Sequence, residues 1–159
     1  MDQALDFISH SVTQTQRIGA RLGELALPGD VFLLEGELGS GKTCLTQGIA
    51  RGLGINGFVS SPTFTLIHEH RGPVPLYHVD LYRIEGDADV ESTGVEEYLQ
   101  ADGVTVIEWA EKMRSMLPPD RLDITLRMTG ETTREITFEG DSPRMRSVLN
   151  DLEAQSSSF

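Results

Sequence analysis

Basic side chains are scarce in this chain of 159 residues, where 13 Lys and Arg face 25 Asp and Glu and leave a net charge of −12. Only Lys42 and Lys112 are lysines. Domains that bind DNA or RNA by neutralising phosphates carry a basic face, so direct nucleic-acid binding is not expected, although work in a nucleic-acid pathway through a protein partner stays open. Cysteine is reduced to Cys44, which excludes an internal disulfide framework and a Cys-based zinc cluster. No apolar run approaches the ~18–20 residues needed to span a bilayer. The start, Met1–Asp6, lacks the basic and apolar regions of a secretion signal. The expectation is a cytoplasmic protein with no membrane contact. Apolar residues at 38% and charged residues at 24% suit a folded chain of one domain. That domain is expected over residues 1–155, with a frayed tail at 156–159.

Periodicity divides the chain into elements. Ile18, Leu22, Leu25 and Ala26 form a helical stripe over residues 13–26, which Ser11 or Thr13 can cap. Pro28-Gly29-Asp30 breaks it, and Val31-Phe32-Leu33-Leu34 reads as a strand buried on both faces. Leu45, Ile49 and Leu53 mark a second helix. Phe64–Glu69 and Leu76–Leu81 are strands of a hairpin, and a short helix is expected around Val95–Gln100. Val104–Glu108 is a second buried strand, and Ala110–Leu117 reads as a helix. Asp123–Met128 and Glu135–Phe138 form a late hairpin, followed by a closing helix through Met145, Val148, Leu149 and Leu152. Alternating helices and strands followed by hairpins predict an α/β fold with a mixed sheet.

Between the first buried strand and the second helix stands Gly36-Glu37-Leu38-Gly39-Ser40-Gly41-Lys42-Thr43, which matches G-x-x-x-x-G-K-[ST]. In a chain of this composition, about 0.003 such matches are expected by chance. The chemistry follows from the residue types. Glycines let backbone N–H groups turn inward as a nest for phosphate oxygens, and the next helix adds its positive N-terminal end. Lys42 supplies a point charge for the β and γ phosphates, and the Thr43 hydroxyl can ligate Mg²⁺. A second carboxylate is expected beside the metal, at the end of an apolar strand. Glu108 and Asp80 both qualify: either could hold Mg²⁺ and the other polarise an attacking water. Ser60-Ser61-Pro62-Thr63 lies where a loop hydroxyl could sense the γ-phosphate.

These motifs, with Ser61-Pro62-Thr63-Phe64, His78-x-Asp80-Leu81-Tyr82-Arg83 and Ile107-Glu108-Trp109 in that order, resemble the bacterial TsaE (YjeE) family over about residues 5–140. The resemblance implies a P-loop NTPase-like three-layer sandwich with a mostly parallel central sheet. It implies an ATPase, binding ATP or ADP with Mg²⁺, needed for threonylcarbamoylation of the adenosine next to the anticodon, position 37, in tRNAs that read ANN codons. The partners it implies are TsaD and TsaB, with tRNA reached only through their complex. Position by position, Gly39, Ser40, Gly41, Lys42, Thr43 and Cys44 correspond to the phosphate and metal contacts, Glu108 to the metal carboxylate, and Asp80 to a second acid. Thr63 corresponds to the switch-like segment, Trp109 to a tryptophan beside the nucleotide, and Arg134 to an arginine of the late hairpin. The Ser11–Thr15 segment is implied to flank the adenine. Cys44 stands where a second Thr is common, and Thr133 where Gly usually precedes the arginine.

Other features have plainer readings. His68, His70 and His78 share strand faces, but no Cys joins them and Mg²⁺ prefers oxygen ligands. The acidic stretch 85–97 reads as a solvated face, with docking to a basic partner as its competitor. The alternative activity is that of a small kinase phosphorylating a metabolite. That needs an acceptor pocket and usually extra arginines, and of the 11 Arg only Arg83 and Arg134 stand in motif-like settings.

Overall fold

The computed structural model describes residues 3–37, 39–57, 67–81, 94–99, 102–109, 115–156 and 159. Seven strands, β1 (Gln3–Ser9), β2 (Val31–Glu35), β3 (Ile67–His70), β4 (Leu76–Asp80), β5 (Val104–Glu108), β6 (Leu122–Met128) and β7 (Arg134–Gly140), form one sheet in the order β1-β7-β6-β2-β5-β4-β3. The four central strands β6, β2, β5 and β4 are parallel, and β3, β7 and β1 join antiparallel at the two sides. The described helices are α1 (Val12–Leu25), α2 (Lys42–Gly52), α3 (Val95–Leu99) and α4 (Pro143–Ala154).

The apolar runs at β2 and β5 have the cause expected of them: each strand has a strand on either side and apolar layers on both faces. One face carries Phe32, Leu34, Val104, Val106, Ile124 and Phe138 under Ile18, Leu22, Leu45, Ile49 and Leu149 from α1, α2 and α4. The other carries Val31, Leu33, Val79 and Ile107 against Val95 of α3, with Met116 and Leu117. The fold is therefore α/β with three layers, as expected.

Both hairpins stand where predicted among the described residues; residues 64–66 of the first strand lie outside them. The helix read over Ala110–Leu117 falls partly outside the described residues, and a single 3₁₀ turn occupies 115–116. Strand β1 has no counterpart among the elements expected from periodicity. Gln3, Leu5, Phe7 and Ser9 alternate inward, of which only Leu5 and Phe7 are apolar, and the strand gains its place from pairing with β7, Gln3 opposite Gly140 through Ser9 opposite Arg134. At the tail read as frayed, the Phe159 ring packs edge-on against Phe7 at 5.1 Å between centroids, so the last residue is anchored to β1.

Helices α1 and α2 meet through glycines that periodicity alone does not reveal. Gly19 and Gly23 of α1 lie against backbone atoms of Leu45 and Ile49, while Gly48 and Gly52 of α2 lie against the carbonyl oxygens of Gln16 and Ala20. The contact order rises along both helices together, so they run parallel with their N-termini at the same end. A Cβ at Gly48 would drive into the Gln16 backbone, which cannot swing aside as a side chain could. Gly48→Ala is expected to destabilise the fold by about 1–3 kcal/mol, the usual cost of overpacking. Urea unfolding of both proteins measures it, and an unchanged midpoint would refute the tight contact.

Candidate functional site

The site is built at the carboxyl ends of the parallel strands, the usual ligand position in sheets of this class. Strand β2 leads into the glycine-rich loop and α2. Leu34 of β2 is in register with Glu108 of β5, and Glu108 with Asp80 of β4, so both carboxylates end strands lying beside the loop. Gly39 and Gly41 take φ of 83° and 105°, a left-handed backbone that side chains other than glycine rarely accept. The helix that follows starts at Lys42 without a side-chain cap, which leaves its first amides available to an anion.

A cleft of about 1010 Å³ brings these pieces together. Of the residues singled out in the sequence, Ser11, Thr15, Gly39, Gly41, Lys42, Thr43, Cys44, Asp80, Glu108, Trp109 and Arg134 all line it. Ser40 belongs to the loop but is buried, and its Oγ has no hydrogen-bond partner among the described residues. Thr63 lies outside the described residues, as does most of the acidic stretch 85–97.

Some details refine the roles. Ser11 caps α1, its Oγ accepting from Gln14 N, while the Gln14 side chain accepts from His10 N. The Thr15 hydroxyl is paired with Ser9 Oγ at 2.7 Å and is buried. Arg134 Nη1 donates to the carbonyls of Gly130 and Thr133, which ties the guanidinium to the β6–β7 turn at the cleft wall. Sequence reasoning missed His10, Glu131 and Thr132 as lining residues. Val12, within the Ser11–Thr15 segment, and Glu37, within the glycine-rich motif, line the cleft as well; Val12 is an apolar residue outside the buried stripe of its helix and is 59% exposed.

Glu108 is the electrostatic centre. It is buried, with Oε1 3.5 Å from Lys42 Nζ and Oε2 2.6 Å from His78 Nε2. Burial pushes its pKa up, but the hydrogen bond from His78 and the attraction of His78 and Lys42 outweigh it, holding the carboxyl below the ordinary 4.5. As a carboxylate it accepts from Nε2–H of His78. Lys42 Nζ also lies 5.3 Å from the centre of the Trp109 ring. Trp109 is the one non-glycine residue with positive φ, 61°, among the described residues, a backbone strain of about 1–3 kcal/mol. That strain turns the ring toward the lysine as the chain leaves β5.

Thr43, Asp80 and Glu108 offer only oxygen donors, the set a hard cation such as Mg²⁺ takes. Among the described residues no three His, Cys, Asp or Glu side chains gather as a metal cage. Mg²⁺ needs none, because one or two carboxylates and substrate phosphates hold it. The residues fit a magnesium–nucleotide complex. His68 and His70 instead lie against each other with their rings tilted by 43°, 4.4 Å between centroids.

A glycine-rich phosphate loop between β2 and α2, with acidic strand ends beside it, defines an α/β protein of the P-loop class. Comparison with known proteins narrows this. The family model described as Threonylcarbamoyl adenosine biosynthesis protein TsaE matches residues 9–136. The tRNA threonylcarbamoyladenosine biosynthesis protein TsaE of Bacillus subtilis (strain 168) is 44% identical over 140 residues, covering 87% of each chain. That of Treponema pallidum (strain Nichols) is 42% identical over 130 residues, covering 82% of this chain and 96% of its own. A crystal structure of Bacillus subtilis YdiB superimposes with a TM-score of 0.85 at 37% identity, covering 98% of both chains. The chain belongs to the TsaE family of tRNA threonylcarbamoyladenosine biosynthesis proteins. No helix among the described residues is long and apolar enough to cross a membrane.

The Glu108 environment makes a pH prediction. Its folded pKa lies below its unfolded value, so the stability it contributes is fully present above about pH 4.5 and is lost as pH falls through the folded pKa. In the protein without ligand, the stability difference between wild type and Glu108→Gln should be flat at neutral pH. Below about pH 4.5 it should move steadily against the wild type. Urea midpoints from pH 3 to 7 test this, and parallel curves throughout would contradict it.

Proposed function

We propose that this protein is a magnesium-dependent ATPase acting in threonylcarbamoylation of the adenosine at position 37 of tRNAs that read ANN codons, through an ATP-dependent interaction with TsaD–TsaB. The observation that carries the reading is the convergence of the Gly39–Gly41 loop, Lys42, Thr43, Asp80 and Glu108 on one cleft. Family membership supplies the pathway. The chain's net charge of −12 argues that contact with tRNA runs through the partner complex, in the cytoplasm where tRNA works.

The residues divide the work. Loop amides and the start of α2 hold phosphate oxygens, and Lys42 neutralises charge as it builds on the γ-phosphate. A triphosphate competes with Glu108 for the Lys42 ammonium, so ligand entry changes the partner of both groups. Thr43 and one of the two carboxylates hold the cation, and the other carboxylate orients water for in-line attack. Mg²⁺ held there would supply positive charge against the phosphates. The cleft end bounded by Ser11, Val12 and Thr15 takes the base, with Val12 giving an apolar contact. The described residues place no cluster of arginines over the cleft for a second substrate. A missing stabilising group can come from a partner, so hydrolysis by the isolated chain is expected to be slow.

Lys42→Ala should abolish measurable ATP binding and support of tRNA modification in an assay with TsaD–TsaB. Glu108→Ala and Asp80→Ala should keep nucleotide binding while slowing phosphate release on the order of 10²-fold or more. Phosphate release by the pure protein with ATP and Mg²⁺, with no acceptor, separates an ATPase from a kinase. Strict acceptor dependence would favour the kinase, and full activity of both acid variants would remove these residues from the chemistry.

A further inference from the structure

Strands β4 and β5 turn matched rows toward α1 and α2: Leu76, His78 and Asp80 on one, Val104, Val106 and Glu108 on the other. Five of these six positions are what the layer calls for, apolar within and acidic at the cleft. His78 is the exception. It stands two residues inside the strand end, fully buried, where an aliphatic side chain would pack without desolvating a polar ring. Its Nδ1 has no partner among the described residues, so the ring is not there to satisfy a network of its own. Its one close polar contact among the described residues is Nε2 to Glu108 Oε2 at 2.6 Å.

We propose that His78 is a positioning residue that locks the Glu108 carboxylate, so that Oε1 alone is presented to the cation and phosphates in the cleft. The inference rests on the reading of Glu108 as a metal carboxylate. A glutamate at a strand end has three side-chain torsions and two equivalent oxygens. The His78 bond takes one oxygen from behind, and Oε1 is left on the Lys42 side at 3.5 Å. A charge-assisted bond of this length fixes the plane of the carboxylate before any ligand arrives. Groups that hold a ligating side chain in this way typically change metal affinity or activity by about 10–100-fold when removed.

Two amide variants separate positioning from packing. The Gln side chain puts its NH₂ close to where the histidine Nε2 lies, whereas that of Asn stops short. ADP is titrated by calorimetry into wild type, His78→Gln and His78→Asn, in EDTA and across a range of Mg²⁺ concentrations. His78→Asn should raise the Mg²⁺ concentration needed for half-maximal enhancement of ADP affinity about tenfold or more, with affinity in EDTA unchanged. His78→Gln should stay within about threefold of wild type. In a Glu108→Gln background, His78→Asn should add no further loss.

An unchanged Mg²⁺ requirement in folded His78→Asn overturns the proposal. So does an equal loss in EDTA and Mg²⁺, or an equal loss in both Glu108 backgrounds. Should His78→Asn not fold, the wild type decides: its His78 Nε2–H proton signal should shift when Mg²⁺ is added to the ADP complex, and a fixed signal overturns the proposal. Failure of the wild type to bind ADP at all would instead refute the nucleotide site itself, and this inference with it.

Discussion

Parallel pairing of β2 with β5, and of β5 with β4, is the constraint from which the site follows. Parallel strands bring their carboxyl ends to one side, and here the register sets Leu34, Glu108 and Asp80 in a line. A one-residue slip of β5 would turn Glu108 to the opposite face, away from Lys42 and His78. The register is guarded by burial, since every residue of β5 is buried and an offset would expose apolar side chains on both faces. The apolar runs that make the strands thus also fix the distances among the charged groups at their ends.

How much of this could be read from the sequence depended on whether a feature is local. The phosphate loop was legible because its residue types and spacing are the mechanism, and the structure adds only the positive φ of Gly39 and Gly41. The acidic strand ends were legible because a carboxylate that closes an apolar run sits at the rim of the sheet, where a cation beside phosphates needs it. Beyond the two hairpins, which strands lie side by side was not, because the order of the parallel strands depends on crossovers that leave no periodic trace. Strand β1 escaped notice because an edge strand needs only two inward apolar residues. The glycines of α1 and α2 read as unfavourable helix residues until the two helices are seen together, some thirty residues apart along the chain. His78 was noticed, but its partner 30 residues away was not.

Scarcity of cations shapes the electrostatics. With two lysines in the chain and an acidic surplus, a triphosphate cannot be held by a crowd of basic side chains. On the proposed reading the burden would fall on backbone amides of the loop, on the N-terminal end of α2, and on Lys42. Glu37, Asp80, Glu108 and Glu131 all border the same cleft, so a bare anion would be repelled there, in keeping with the proposed pairing of nucleotide and divalent cation.

The interlocked glycines of α1 and α2 carry a mechanical consequence. One helix begins at the Ser11–Thr15 end of the cleft and the other at the glycine-rich loop, and their backbones are in direct contact at four glycine positions. Such a pair behaves as a caliper set to one opening: the distance between those two cleft walls is set by the helix contact and would not lengthen without separating the helices. On the proposed reading, a stroke driven by the nucleotide would then be delivered by the opposite jaw, formed by the strand ends and the turns beyond them.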